Sequence, residues 1–309
     1  MGKFHWCDHR ISLGYPMRTL PSQGMRFGNV NGRAALITRE KGAGGEWIDL
    51  EEASDGRFHH DPADIFARWA ELRSNAPALS ESRAKSFGHH ELGAPSPRPA
   101  QVFGIGLNYR EHAVETGAPI PDSPLTFTKF SSSINEPFGD IPVGVPTCDW
   151  EVELVVVVGQ GGRNIPVAHG WSAIAGVCVG QDISDRLLQR ATQPPQFSLG
   201  KSRRGYSPFG PWLVDVASIA NRDSMTLHCT VNDEEMQRSL TDDMIFTVPE
   251  LVAYLSNIVE LMPGDVLYTG TPSGVGGARK PPRFLAPGDV IRSTLEGVGT
   301  IVNRCVPEK

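Results

Sequence analysis

The chain has no long hydrophobic run, few cysteines and no excess of positive charge. No apolar stretch approaches the roughly 18 residues of a membrane-spanning helix, so we expect no membrane segment. The first ten residues, MGKFHWCDHR, contain no apolar region of the kind found in secretory signals. The formal net charge of −6 leaves no basic footprint, so we expect no nucleic-acid partner.

The cysteines number five, an odd set in which no two are spaced as CxxC. They are Cys7, Cys148, Cys178, Cys229 and Cys305. Such a set argues against a disulfide framework and against a zinc ribbon, so we expect a reduced, cytoplasmic protein. With 309 residues, the chain can bury a sizeable core as one large domain or as a small domain plus a larger one.

Two nucleotide-binding fingerprints are also missing. The apolar strand predicted at residues 102–106 precedes a short helix, but GxGxxG would need glycine where the chain has Tyr109. The run Gly200-Lys201-Ser202 would be a phosphate-binding loop only with glycine at the position of Pro195. Neither segment therefore indicates a nucleotide ligand.

Residues 1–24 carry proline and glycine without a sustained hydrophobic period, so we expect a poorly ordered extension. His5, Cys7 and His9 alternate there in a way that a metal could use. A solvated tail is the better interpretation, because nothing nearby supplies a core.

A small β domain is expected over residues 25–98. Asn31-Gly32 separates two alternating runs, which is a strong hairpin signal. Asp61, followed by proline, has the pattern of a helix N-cap. The proline-rich run 94–99 is typical of a linker, so we divide the chain there and assign residues 99–309 to a second region.

The stretch Thr147–Gly159 contains two glutamates, Glu151 and Glu153, beside the most apolar run of the chain. Its second half is rich in valine and too short for a helix, so it predicts a buried strand. Successive side chains on a strand point to opposite faces, so Glu151 and Glu153 project from the same side. Two like charges beside apolar residues would be stabilised by a hard divalent cation. A solvated strand edge is the alternative.

A short helix is predicted with Asn108 as its N-cap and with its end near Gly117. It carries His112 and Glu115 on one face at i and i+3. A carboxylate beside an imidazole is the usual arrangement for a general base. Taken alone, however, the pattern favours a solvent-exposed pair on a surface helix. Lys129 follows in an alternating strand, where it could neutralise a substrate carboxylate. The exposed side of the strand is the preferred interpretation.

Polar residues downstream complete the candidate site. Asp182 ends an apolar strand, in the position for a third oxygen ligand or for a surface cap. On a helical turn, Arg186 and Gln189 would share its face. Lys201 lies in a loop dense with glycine, proline and aromatic residues, and Thr271 lies in a glycine-rich loop that could hold a carboxylate or oxyanion.

Taken in order, these segments resemble the fumarylacetoacetate hydrolase family from about Val102 to the C-terminus, and within it acylpyruvases and 2-keto-4-pentenoate hydratase-like members. The matching pieces are NYREHAVE at 108–115, DWEVELVVVVG at 149–159, GQDISDRLLQ at 180–189, LGKS at 199–202 with GPW at 210–212, and PGDVLYTGTPSGVG at 263–276. The resemblance implies an α+β, predominantly β fold: a mixed β-sheet roll or barrel as catalytic domain, with a small N-terminal β domain.

The same resemblance implies roles for nine residues. The implied metal ligands are Glu151, Glu153 and Asp182, the catalytic residues His112, Glu115 and Lys201, and the substrate contacts Arg186, Gln189 and Thr271. One Mg²⁺ or Mn²⁺ ion per subunit is expected, in a homodimer. The substrate would be a small 2-oxo or 1,3-diketo acid, with an enolate stabilised during C–C hydrolysis and the His–Glu pair activating water.

Other outcomes of the same enolate chemistry are decarboxylation of an oxaloacetate-like acid, hydration and isomerisation. A non-enzymatic metal-binding or ligand-binding protein would need the carboxylates but not the His–Glu pair, which disfavours it. Where many relatives continue the GKS segment with Phe-Asp, this chain has Arg203-Arg204. That added charge leaves the acyl group of the substrate open.

Overall fold

A computed structural model describes residues 24–79 and 82–309. Apart from Gly24, the expected N-terminal extension, with His5, Cys7 and His9, lies outside the described residues. Within those ranges no helix combines the length and apolar character needed to cross a membrane.

Strands dominate the described chain. In order they are β1 Arg26–Val30, β2 Arg33–Glu40, β3 Gly44–Asp49, β4 Lys85–Gly88, β5 Leu92–Gly93, β6 Val102–Gly106, β7 Leu125–Thr128, β8 Ile134–Asn135, β9 Ile141–Val143, β10 Cys148–Asp149, β11 Val152–Val158, β12 Ile174–Gln181, β13 Ser184–Asp185, β14 Ser207–Asp215, β15 Thr226–Val231, β16 Glu234–Leu240, β17 Val266–Tyr268, β18 Val290–Leu295 and β19 Gly299–Pro307. The α-helices are α1 Leu50–Ala53, α2 Trp69–Leu79, α3 Arg110–Thr116, α4 Arg186–Gln189, α5 Phe197–Gly200 and α6 Val248–Ile258.

The hairpin predicted at Asn31-Gly32 is confirmed. These two residues join β1 to β2, and Val30 pairs with Arg33 across the turn. Their φ angles of 53° and 77° are the left-handed values that a two-residue hairpin turn requires, which Asn and Gly adopt at little cost. Asp61 is also an N-cap, since its carboxylate accepts a hydrogen bond from the backbone N of Ala63 at 3.0 Å. The helix that it begins is a single 3₁₀ turn.

Three sheets make up the fold. The largest runs in the order β4-β3-β2-β1-β14-β12-β11-β17-β6-β7, with β5 beside β1 and β8 beside β14. Most neighbours are antiparallel, while β17 with β6 and β8 with β14 are parallel. A five-stranded sheet, β16-β15-β18-β19-β9, and the pair β10-β13 complete the set in the described ranges. The α+β, mainly β class is therefore confirmed.

The barrel alternative is wrong. The path through the large sheet begins at β4 and ends at β7, and no pairing among the described strands joins these two ends. Closure depends on the tilt and stagger of all the strands together. A pattern of short alternating runs does not determine it.

The N-terminal strands and the central strands belong to one sheet. β1 pairs with β14 through Phe27 and Leu213, and both side chains lie in the same buried cluster as Val155 of β11. Ser96, in the proline-rich run, is buried and donates a hydrogen bond to the carbonyl of Gly264 at 2.7 Å. The division of the chain into two domains at residues 94–99 therefore stays a prediction. The proline-rich run itself is hydrogen-bonded to the region that follows it.

The centre of the large sheet holds the strand that carries the candidate site. All seven residues of β11 are buried, as are all eight of β12. A strand buried on both faces is expected to be a continuous apolar run, and β11 has that character except at Glu153. A carboxylate in this position needs a compensating charge or hydrogen bond.

Truncation of Phe27 tests whether the shared core unfolds as one unit. Phe27 is fully buried and packs edge-on against Phe66 and Trp69, with ring centroids 5.7 and 5.4 Å away. We expect Phe27→Ala to lower the free energy of unfolding by about 3–5 kcal/mol, in a single transition that includes the central strands. The measurement is chemical denaturation followed by both tryptophan fluorescence and circular dichroism.

The control for this variant is Phe130→Ala, because Phe130 is 53% exposed. The same chemical change there should cost far less. Two separated transitions in Phe27→Ala, with the central strands unaffected, would contradict the shared core.

Candidate metal centre

Three carboxylates meet where β11 and β12 run side by side. Glu153 lies in β11 opposite Gly180, and the backbone N of Asp182 donates a hydrogen bond to the carbonyl of Glu151 at 2.9 Å. Carboxylate oxygens of the three residues lie within 4.8 Å of one another, and all three side chains are buried. The antiparallel register thus brings together residues from two separate sequence segments.

Two buried glutamines fix the backbone on which these carboxylates are mounted. The side-chain oxygen of Gln181 accepts a hydrogen bond from the backbone N of Glu151 at 2.8 Å. The side-chain oxygen of Gln237, from β16 of the five-stranded sheet, accepts one from the backbone N of Val152 at 2.9 Å. The large sheet, through Gln181, and the five-stranded sheet, through Gln237, therefore both fix the backbone where β11 begins.

Three cations contact the carboxylates. Lys201 Nζ lies 2.5 Å from a Glu151 oxygen and 2.8 Å from an Asp182 oxygen. Lys129 Nζ donates to the other Asp182 oxygen and to the carbonyl of Lys201, the latter at 2.5 Å. Arg186 Nη1 lies 2.6 Å from the second Glu151 oxygen.

Arg186 is itself positioned by a fourth carboxylate. Asp149 accepts from Arg186 Nε at 2.8 Å, and from the backbone N of Gly276 and Gly277 at 2.8 and 2.9 Å. A charge-assisted bond of this kind is stronger than a neutral one. Asp149 therefore connects the guanidinium that reaches Glu151 to the glycine-rich loop after β17.

The carboxylates differ in their electrostatic surroundings. Burial alone would raise the pKa of Glu151, but the charges of Lys201 and Arg186 lower it to about 2. His112 acts in the same direction on the pKa of Glu151. Burial raises the pKa of Glu153 well above its usual value, and repulsion from Asp182 and Glu151 adds to this.

Glu153 is the carboxylate that lacks a cation. None of the ion pairs formed by the described residues includes it, and it accepts a hydrogen bond from the backbone N of Gly270 at 2.7 Å. A divalent ion between the three carboxylates would remove the repulsion that raises its pKa. The donor set, oxygen atoms alone with high negative charge, fits Mg²⁺ or Mn²⁺. Glu151, Glu153 and Asp182 would hold the ion.

The His–Glu pair is formed on α3. His112 Nδ1 lies 2.8 Å from one oxygen of Glu115, and the other oxygen accepts from the backbone N of Gly274 at 2.9 Å. His112 is only 8% exposed, so the pair is not the solvated surface pair that was the alternative. The helix ends, as expected, at Gly117 in the left-handed conformation.

The predicted N-cap role of Asn108 is wrong. Tyr109 occupies the N-cap position, and its side chain makes no capping hydrogen bond. The Asn108 amide instead donates to the carbonyls of Phe246 and Thr269 at 3.0 and 2.7 Å, and its oxygen accepts from the backbone N of Phe246. Fully buried, it cross-links three segments of the chain, and that long-range role overrides the local preference for capping.

The three predicted substrate contacts lie in different settings. Arg186 and Gln189 share α4, where Arg186 Nη1 donates to the Gln189 oxygen at 3.1 Å. The prediction that Asp182 shares a helical face with Arg186 and Gln189 is wrong, because β13 lies between Asp182 and α4. Thr271 donates its hydroxyl to the carbonyl of Val152 at 2.9 Å and accepts from the Gln237 amide at 2.8 Å. Its hydroxyl is therefore engaged within the protein.

Sequence reasoning missed two residues of this centre. Lys129 was expected on the exposed side of its strand, but it is 3% exposed and points with Phe127 into the protein. The alternation that places buried Phe127 on one face also places Lys129 there, so the signal was available. Asp149 likewise precedes Glu151 and Glu153 in steps of two, and its inward direction follows from the same alternation.

Replacement of Lys129 tests the balance of charge in this centre. Burial lowers the pKa of Lys129, while contact with Asp182 opposes that change. Lys129→Met should lower the free energy of unfolding by up to about 3 kcal/mol without metal, because Asp182 loses a buried partner. Excess Mg²⁺ should restore most of the loss. The measurement is thermal unfolding in EDTA and in Mg²⁺.

The matched control is Lys85→Met, whose side chain is 41% exposed and pairs with Glu52 at the surface. The difference in thermal stability between this variant and the wild type should be the same in EDTA and in Mg²⁺. An equal deficit of Lys129→Met in both buffers would mean that the lysine and the ion do not compensate the same charge.

Comparisons with known proteins bear on this site. The family model for the fumarylacetoacetate (FAA) hydrolase C-terminal domain matches residues 101–306. A Bos taurus protein, oxaloacetate tautomerase FAHD2A, mitochondrial, is 41% identical over 215 residues, which are 69% of this chain and 68% of that protein.

Two solved structures share the fold. A candidate HpcE protein from Mycobacterium smegmatis is 46% identical and has a TM-score of 0.84, over 92% of this chain and all of that one. A maleylpyruvate hydrolase from Sphingobium sp. SYK-6, in complex with manganese(II) and pyruvate, is 22% identical with a TM-score of 0.74, over 92% of this chain and 100% of that one. At that identity the second likeness concerns the fold alone.

Proposed function

This chain belongs to the fumarylacetoacetate hydrolase family, and from that membership we propose that it is a divalent-metal-dependent enzyme that forms the enol of a small 2-oxo acid. Keto–enol tautomerisation of an oxaloacetate-like acid is the first candidate reaction. The supporting relative is the Bos taurus oxaloacetate tautomerase, at 41% identity. Hydrolysis of a C–C bond in an acylpyruvate-like 1,3-diketo acid is the second.

The observation that carries the proposal is the hydrogen bond between buried His112 and half-buried Glu115. Glu115 at Nδ1 fixes the hydrogen on that nitrogen and leaves the Nε2 lone pair as a base. Transfer of a C3 proton to His112, with delivery of a proton to the carbonyl oxygen, converts a 2-oxo acid to its enol. The backbone N of Gly274 holds the second Glu115 oxygen, so the base is oriented from both sides.

The carboxylate cluster would hold the electrophilic group of the proposed site, a divalent ion. A divalent ion bound by Glu151, Glu153 and Asp182 would act as a Lewis acid towards the adjacent oxygens of a 2-oxo acid. Lys201 and Arg186 would then present positive charge to the substrate carboxylate.

Hydrolysis is kept as the second candidate because the same base would serve it. His112 would take a proton from water, and the resulting hydroxide would attack the distal carbonyl. The C–C bond would then break, with its electron pair going to the 2-oxo-acid half, which is protonated. Tautomerisation needs fewer groups, since it requires no water position. Decarboxylation of an oxaloacetate-like acid would start from the keto form, and loss of CO₂ would leave an enolate that is then protonated. Hydration and isomerisation would use an enol of the same kind.

The deciding experiment is a turnover assay with oxaloacetate, acylpyruvates and fumarylpyruvate, in Mg²⁺ and in Mn²⁺. We expect enzyme-dependent loss of the enol absorbance of oxaloacetate, abolished by EDTA and restored by either ion. Cleavage of acylpyruvates without an effect on the oxaloacetate enol would favour the hydrolase instead. Turnover that survives exhaustive chelation would contradict the metal-dependent mechanism.

Removal of the base provides a separate prediction. His112→Ala should reduce turnover by about 10²–10⁴-fold, because general-base catalysis contributes that much, and should leave Mg²⁺ affinity unchanged. The control is His169→Ala, since His169 is an exposed histidine in a surface 3₁₀ turn. A near-normal rate in His112→Ala, with normal metal binding by calorimetry, would remove His112 from the mechanism.

Assembly and location are proposed on family grounds. A homodimer is the family expectation. The expected cytoplasmic location also stays a prediction, because the name of the Bos taurus relative places that protein in mitochondria. The four described cysteines are free and buried, in agreement with a reduced protein.

A further inference from the structure

A second cluster of metal-ligating side chains lies outside residues 101–306, in the N-terminal third. It consists of Glu51 in α1 and of His59 and His60, in the loop before the 3₁₀ turn Pro62–Asp64. The ligand atoms that these three residues offer lie within 4.8 Å of one another. No role in the proposed enzyme chemistry involves them.

The loop that carries the histidines is held firmly on both sides. Phe58 is fully buried, and its backbone N donates to the hydroxyl of Ser54 at 3.0 Å. The carbonyl of His60 accepts from the backbone N of Ala34, in β2, at 2.5 Å. The two imidazoles therefore project from a fixed backbone, with ring centroids 4.2 Å apart.

The geometry at His60 fits a shared ion better than a strong hydrogen bond. Its Nδ1 lies 3.3 Å from a Glu51 oxygen. Charge-assisted hydrogen bonds are usually shorter, at about 2.7–2.9 Å. Two ligands of a tetrahedral ion with metal–ligand distances of about 2.0–2.1 Å are separated by about 3.3–3.4 Å.

A carboxylate orients the other imidazole. His59 Nδ1 lies 2.9 Å from an Asp64 oxygen and 3.3 Å from the backbone N of Asp61. With the ring hydrogen on Nδ1, towards the shorter carboxylate contact, the lone pair is on Nε2. Metal-binding histidines commonly have such a carboxylate at the nitrogen that does not bind the ion.

Local charge also favours a cation. Arg33 contacts the second Glu51 oxygen at 3.0 Å, but it also makes two hydrogen bonds to Asp49, at 2.6 and 3.0 Å. Asp49 thereby offsets the charge of Arg33. The negative charges of Glu51 and Asp64 are then left to attract a divalent ion. Imidazole ligands select Zn²⁺, Ni²⁺ or Cu²⁺ over Mg²⁺.

We propose that Glu51, His59 and His60 bind a transition-metal ion of the Zn²⁺ class, with water as the remaining ligand. The ion links α1 to the loop before residues 62–64 and is chemically distinct from the Mg²⁺ or Mn²⁺ expected at the carboxylate centre. Because these residues lie outside the carboxylate centre, the site does not depend on the proposed enzyme activity.

Calorimetric titration with Zn²⁺ tests the proposal in the intact chain. We expect His59→Gln and His60→Gln each to lower the affinity for one equivalent of Zn²⁺ by about tenfold or more. His169→Gln, at an exposed histidine outside the cluster, should bind as the wild type does. Glu153→Gln should retain this equivalent while losing affinity at the carboxylate centre, which separates the two sites.

A spectroscopic readout identifies the ligands. One equivalent of Cu²⁺ bound to the wild type should show nitrogen coupling from two imidazoles in its electron paramagnetic resonance spectrum. The coupling should change in His59→Gln and persist in His169→Gln. His59 is 54% exposed, so its variant keeps the core intact and decides the question even if His60→Gln fails to fold.

Two results would overturn the proposal. The first is unchanged Zn²⁺ affinity and stoichiometry in His59→Gln, with normal thermal stability in EDTA. The second is an equal loss in His169→Gln and His59→Gln, which would mean non-specific binding by surface histidines.

Discussion

Burial of like charges at the centre of the large sheet is the constraint on which the rest of this structure depends. Glu153 lies on β11, and Glu151 and Asp182 directly adjoin the fully buried strands β11 and β12, where isolated carboxylates would be strongly destabilising. Nearby cations offset two of the three, whereas burial and repulsion from Asp182 and Glu151 keep the pKa of Glu153 raised. Lys129, Lys201 and Arg186 are the cations that meet this requirement.

The same constraint joins the sheets. Gln237 reaches from the five-stranded sheet to the backbone of Val152 in the large one, and Asp149, in the two-stranded pair, holds Arg186 and the loop at Gly276. Buried polar networks of this kind are stable only when each member is satisfied. The candidate centre therefore lies at the junction of the three sheets, and its geometry depends on all of them.

Sequence reasoning succeeded where a short-range period sets geometry. Alternation at the start of β11 put Glu153 and the preceding Glu151 on one side, and helical spacing paired His112 with Glu115. It failed where distant segments compete for a residue, as at Asn108, whose amide satisfies carbonyls far along the chain. The absence of barrel closure was equally inaccessible, because closure depends on tilt and stagger across the whole sheet. The roles of the nine candidate residues stay predictions that need activity measurements.

Charge also favours an order of binding in the proposed enzyme. When ionised, the three ligand carboxylates and Asp149 carry one more negative charge than Lys129, Lys201 and Arg186 carry positive charge. The raised pKa of Glu153 favours its protonated form without metal, which makes the metal-free centre close to neutral, so it offers an anionic substrate no net attraction. A divalent ion reverses the balance to one net positive charge and releases part of the hold of the carboxylates on Lys201 and Arg186. Metal before substrate is thus the order that the electrostatics of this centre favour.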